Sequence, residues 1–146
     1  MKLRMFVMAS LMAAIGLTLS DPIMAAPVVG AKDAKAIQLV VRSQLKALEE
    51  NDARKAFSLA TPGVQSTIGS PDDFMRIIRE DYPPVYRHRY ATFSAPEMID
   101  GKIISVVRLT DPDDHVWLAM FEMLRVNDGS WKIDGCQLLE TTNISI

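Results

Sequence analysis

The stretch "HVWLAMFEMLRV", residues 115–126, decides the fold. Read with a period of two, it sets Val116, Leu118, Met120, Leu124 and Val126 on one side. Trp117, Ala119, Phe121 and Met123 fall on the other. Aromatic and β-branched residues suit a pleated strand. A strand with one wet face should alternate apolar and polar side chains. This one does not, so both of its faces are expected to be covered.

Working outward, "DPDD" (111–114) precedes the strand and "NDG" (127–129) follows it. Each is a turn signal between apolar runs. "KIISVVRLT" (102–110) and "SWKIDGCQLLE" (130–140) become the neighbouring strands, and "DG" (100–101) joins the first of them to residues 90–98. Asp-Gly pairs mark hairpins because glycine accepts positive φ. The second half of the chain is therefore an antiparallel meander of about four strands.

Upstream the period changes to that of a helix. After Asp33, an expected N-cap, Ile37, Val40, Val41, Leu45 and Leu48 recur on one stripe. Asp52 caps a second helix carrying Ala53, Ala56, Phe57 and Ala60, which "TPG" (61–63) is expected to end. The third helix has the clearest start. Ser70 is the N-cap, Pro71 takes the first helical position, and Asp72 and Asp73 sit at the positive end of the dipole. Pro83-Pro84 stops it. The class is α+β: three N-terminal helices packed on a curved antiparallel sheet of about four strands. The helices cover one face. The other needs a long loop or a second subunit, and a homodimer is the expectation.

The N-terminus reads as an export signal. Lys2 and Arg4 precede an apolar run from Met5 to Leu19, Asp21-Pro22 breaks it, and "IMAAP" (23–27) supplies small residues. The run is shorter than the roughly 18 apolar residues of a membrane span. Cleavage after Ala25 is expected, with an uncleaved anchor as the alternative. The organisation is then a signal peptide at 1–25, a flexible lead-in at 26–35 and one domain at 36–142, in an exported, periplasmic or secreted protein. No stable membrane insertion is expected once the signal is cut.

Losing Lys2, Arg4 and Asp21 moves the formal charge from −2 to −3. A mildly acidic domain attracts neither nucleic acid nor anionic lipid. Cys136 is the only cysteine, so no intramolecular disulfide forms, and its apolar strand predicts burial.

The helical segment "AIQLVVRSQLKALEENDARKAFSLATP" (36–62), followed by a meander ending in "DGSWKIDGCQL" (128–138), resembles the nuclear-transport-factor-two-like superfamily. The segment "SPDDFMRIIREDYPPVYRHR" (70–89), with its "YPPVYR" core, resembles a bacterial family of exported proteins classed only as a domain of unknown function. The similarity spans about residues 36–140. It implies a cone-shaped α+β fold with helices in the concave side of a bent sheet. It brings no catalytic residues to carry over.

Enzymes of that superfamily, such as ketosteroid isomerases and dehydratases, place an acid or base in the cone opposite hydrogen-bond donors. The candidates here are Glu122, Tyr82, Tyr86 and His88. Glu122 is either a cavity base or, as the plainer reading, a carboxylate paired with Arg108 or exposed near a bend. The stretch "YPPVYRHRY" (82–90) is either a ligand rim, with Tyr82, Tyr86, Tyr90, Arg87 and Arg89 presented to an anionic or amphipathic molecule, or a structural corner. His88 lies between two arginines, which disfavour its cation and a bound metal. "DPDDH" (111–115) lacks the glycine of a calcium loop. No metal and no cofactor are predicted.

Three functions stay open. The first is a non-catalytic binding module holding a small apolar or amphipathic ligand in the cone. The second is an isomerase- or dehydratase-type enzyme using the same cavity. The third is a structural dimerisation or accessory domain for an envelope partner.

Overall fold

A computed structural model describes residues 29–141. The signal reading at 1–25 lies outside the described residues. Five helices come first: α1 (Ala31–Glu49), α2 (Ala53–Ser58), α3 (Pro62–Ile68), α4 (Pro71–Asp81) and the single turn α5 (Pro83–Tyr86). Five strands follow: β1 (Tyr90–Phe93), β2 (Glu97–Ile99), β3 (Lys102–Thr110), β4 (Val116–Arg125) and β5 (Trp131–Thr141).

Among the described residues the helices number five rather than three because prolines read as stops also start helices. Thr61 caps α3, its hydroxyl accepting from Val64 N at 3.3 Å, with Pro62 at the first position. That is the same device as Ser70-Pro71, where the Ser70 hydroxyl accepts from Asp73 N at 3.1 Å. Proline loses nothing there, since the first amides of a helix have no intrahelical acceptor. Pro83 likewise opens α5 once Tyr82 has ended α4.

The start of α1 also differs from expectation. The helix begins at Ala31, inside the expected lead-in, and Asp33 lies in its first turn rather than at the cap. The Asp33 carboxylate is engaged across the domain instead, accepting from Arg125 and, at 3.4 Å, from the Trp131 indole N–H. Its charge still complements the helix dipole.

The sheet is antiparallel, in the order β1-β3-β4-β5, with β2 also pairing β3. The expected single strand at 90–98 is split, because the chain leaves β3 after Phe93 and rejoins it at Glu97 past Pro96. Asp100 and Gly101 both have positive φ, 51° and 76°, as a tight two-residue hairpin requires. The β4–β5 register slips between Glu122 and Met123 of β4, leaving Asp134 of β5 as an extra residue. A bulge of this kind bends its strand. Asp134 is held there by the Thr61 hydroxyl at 2.7 Å.

The inner face of β4 follows the sequence alternation: Ala119, Phe121 and Met123 are buried and Trp117 packs against them. Ile37, Val41, Leu45 and Leu48 of α1 lie over this face, joined by Phe74, Met75 and Ile78 of α4. The outer face carries Leu118 and Met120, both half-buried, and Leu139 at 50 % exposure. Among the described residues no helix is long and apolar enough to cross a membrane.

Candidate functional site

Between the helices and the inner face of the sheet lies a cavity of about 140 Å³. Leu48 of α1, Phe74 and Ile78 of α4, Val85 of α5 and Phe121 of β4 supply much of its apolar wall. Among the described residues no charged side chain lines it. Few of its lining residues are polar: Gln44, Tyr82 and Cys136.

Gln44 is the residue that the sequence reading passed over. It lies on the buried stripe of α1, three residues after Val41 and four before Leu48. It is 2 % exposed, and its Oε1 has no hydrogen-bond partner among the described residues. A buried carbonyl normally has one, because its desolvation is otherwise uncompensated. A glutamine on an otherwise apolar helical stripe was the available signal.

Tyr82 reaches the cavity from the end of α4. Its hydroxyl is made less acidic, chiefly by burial and further by Cys136 and Asp81 nearby. Cys136 is half-buried as a residue, but it packs against the core, and burial pushes its thiol up to about 12. It is therefore protonated at neutral pH and a poor nucleophile.

The other sequence candidates lie elsewhere. Glu122 is on the outer face of the sheet and pairs with Lys102 at 2.9 Å, not with Arg108. The strand register explains the partner. Arg108 stands opposite Leu118, whereas Ile104, two residues from Lys102, stands opposite Glu122. Tyr86, Arg87 and His88 are used to fasten α5 to the end of α1. The Tyr86 hydroxyl donates to Asn51 Oδ1, and Arg87 Nη1 donates to the Glu49 carbonyl at 3.1 Å. The His88 ring sits between the Pro84 carbonyl and the Glu49 carboxylate, at 3.1 Å from each. Arg89 pairs with Asp114 at 2.7 Å. Of the proposed rim, only Tyr82 lines the cavity.

Arg87 thus covers a carbonyl left open at a helix C-terminus, where a cation is favourable. Arg87→Gln is expected to lower stability by about 0.5–1 kcal/mol, measured by urea unfolding. An unchanged midpoint would show that the guanidinium is merely solvated.

"DPDDH" is a hairpin turn built around Asp111. Its carboxylate accepts from the backbone N–H groups of Asp113 and His115 and from the Trp117 indole, each at 2.9 Å. These bonds, that of Trp117 foremost, hold the carboxyl below its ordinary range despite partial burial. Among the described residues no group of three or more His, Cys, Asp or Glu side chains is placed to hold a metal.

The fold and cavity define a small α+β domain with an apolar chamber under its helices. The family described as "Domain of unknown function (DUF4864)" matches residues 30–146, and the chain belongs to that family. A search of the curated proteins finds no match. A solved structure from Catenulispora acidiphila is 15% identical, with a TM-score of 0.48, covering 75% of this chain and 92% of its own.

Proposed function

We propose that this domain is a non-catalytic binding module, exported from the cell, that holds a small apolar or amphipathic ligand between its helices and its sheet. The observation that carries this reading is the apolar cavity of about 140 Å³ with Gln44 buried in its wall. Concave, mostly apolar sites with a few placed polar groups are the usual form of small-molecule pockets. Among the described residues the lining holds no carboxylate or imidazole to move a proton, and its thiol is protonated, which supports binding over isomerase or dehydratase chemistry. Helices followed by a meander, with α1 laid on the inner face, support membership of the nuclear-transport-factor-two-like superfamily. The order of charge, apolar run and small residues at 1–25 supports export.

Protein purified from its source compartment is expected to carry a small molecule in native mass spectrometry and to lose it on denaturation. A native mass equal to that of the chain alone, together with no stabilising compound in a thermal-shift screen, would end this reading.

A second reading rests on the outer face of the sheet. Val106, Leu118 and Met120 form an apolar patch with Leu139 beside them, and Arg108 and Gln137 border it. A contiguous apolar face of this kind supports a homodimer or an accessory contact with an envelope partner. Dimerisation and ligand binding are compatible, since they use opposite faces.

A further inference from the structure

We propose that the ligand is a compact, uncharged molecule of about single-ring size, carrying one hydroxyl or N–H donor that it gives to Gln44 Oε1. This rests on the binding reading above and adds the ligand's chemistry.

Three observations select that class. The first is the unpaired acceptor. Of the two buried side-chain atoms without a partner among the described residues, Gln44 Oε1 and Ser105 Oγ, only the former belongs to a residue lining the cavity. Tyr82 and Cys136 line the same space, yet neither bonds it. None of the described residues supplies the donor, and a ligand that brings one recovers the bond they leave unmade.

The second observation is charge. With no ionised side chain in the lining among the described residues, a carboxylate or ammonium ligand would be desolvated with nothing there to pair it. This argues against an anionic head inside the cavity. The Arg87 and Arg89 side chains are committed to Glu49 and Asp114 and do not line it.

The third is size. An apolar cavity of ~150 Å³ holds a benzene ring, and this one is about 140 Å³. A longer amphiphile would have to leave much of its chain outside.

Phenol and toluene test the inference, because they match in size and differ in the donor. Titration calorimetry on the native protein is expected to show phenol binding at least as tightly as toluene. In Gln44→Leu, phenol should weaken by about tenfold or more while toluene changes by less than about threefold, the pattern expected when one hydrogen bond is lost. Gln44→Met, which keeps the chain length, should behave as Gln44→Leu does and serves if the leucine variant folds poorly. The wild-type comparison needs no variant: toluene binding tighter than phenol would overturn the inference. Phenol affinity indifferent to both substitutions would also overturn it while leaving the cavity reading intact. If neither probe binds the wild-type protein, the binding reading itself fails.

Discussion

Alkylation of Cys136 in the native protein is expected to run on the order of a thousandfold slower at pH 8 than in the unfolded chain. The thiolate is the reacting species. Burial moves this thiol from an ordinary 9.0 to about 12, so the reactive fraction falls by about three powers of ten. Restricted access to the cavity wall slows it further. The native rate should rise about tenfold per pH unit up to pH 10, with no plateau, whereas the urea-unfolded chain levels off above about pH 9. A native rate equal to the unfolded one would place the thiol in water and remove it from the cavity.

The same shift has a consequence for stability. The native thiol keeps its proton in a range where the unfolded one has lost it, so the native state binds more protons between pH 9.0 and about 12. Stability must then fall as pH rises through that window, by up to about 1.4 kcal/mol per pH unit. Tyr82, also shifted upward by burial, acts in the same direction. Cys136→Ala should flatten the slope without abolishing it.

The parts of this fold legible in the sequence were those fixed by neighbours along the chain. Ser70-Pro71 and Asp52 announce helix starts because a cap bonds an amide three residues on, as the Asp52 carboxylate does with Lys55 N at 3.0 Å. The alternation of β4 was readable because the pleat repeats every two residues, and Ala119, Phe121 and Met123 do face the helices. Thr61-Pro62 carried the same start signal as Ser70-Pro71 but was read as a stop, because Gly63 follows it and no long apolar stripe does. Pro96 divided a strand whose residue types are otherwise uniform.

The site was less legible, because what makes it is not local. Gln44 becomes an orphaned acceptor only when α1 is laid against β3 and β5. The sequence showed a polar residue on a helix and nothing about its partner. Glu122 looked like a cavity base because it interrupts an apolar run. Its parity with Leu118 and Met120 already set it on their face, but which face would meet the helices was a tertiary fact. Tyr86, Arg87 and His88 looked like a rim because they are aromatic and basic. Their partners, Glu49 and Asn51, lie 35 or more positions away.

The two faces of β4 also predict unequal responses to truncation. Phe121 is 2 % exposed and borders the cavity. Phe121→Ala should cost about 3–5 kcal/mol, the range for emptying a buried aromatic site. The void it leaves would join the existing one, so little relaxation is available to offset the loss. Domains of this size are stable by about 5–15 kcal/mol, and the variant should unfold at a fraction of the wild-type urea concentration. Leu118, three residues earlier, points the other way and is half-buried. In an isolated chain Leu118→Ala should cost about 1 kcal/mol, since less apolar area is lost. The proposed dimer changes that expectation. If the outer face is an interface, folding is linked to association and the wild-type unfolding midpoint rises with protein concentration. Leu118→Lys should then abolish the concentration dependence and halve the mass seen by light scattering at micromolar protein, while leaving the cavity's affinity for a neutral probe unchanged. A wild-type chain that is monomeric throughout that range, with a midpoint independent of concentration, would show that the apolar outer face is left to solvent and that β4 owes its doubly apolar sequence to something other than self-association.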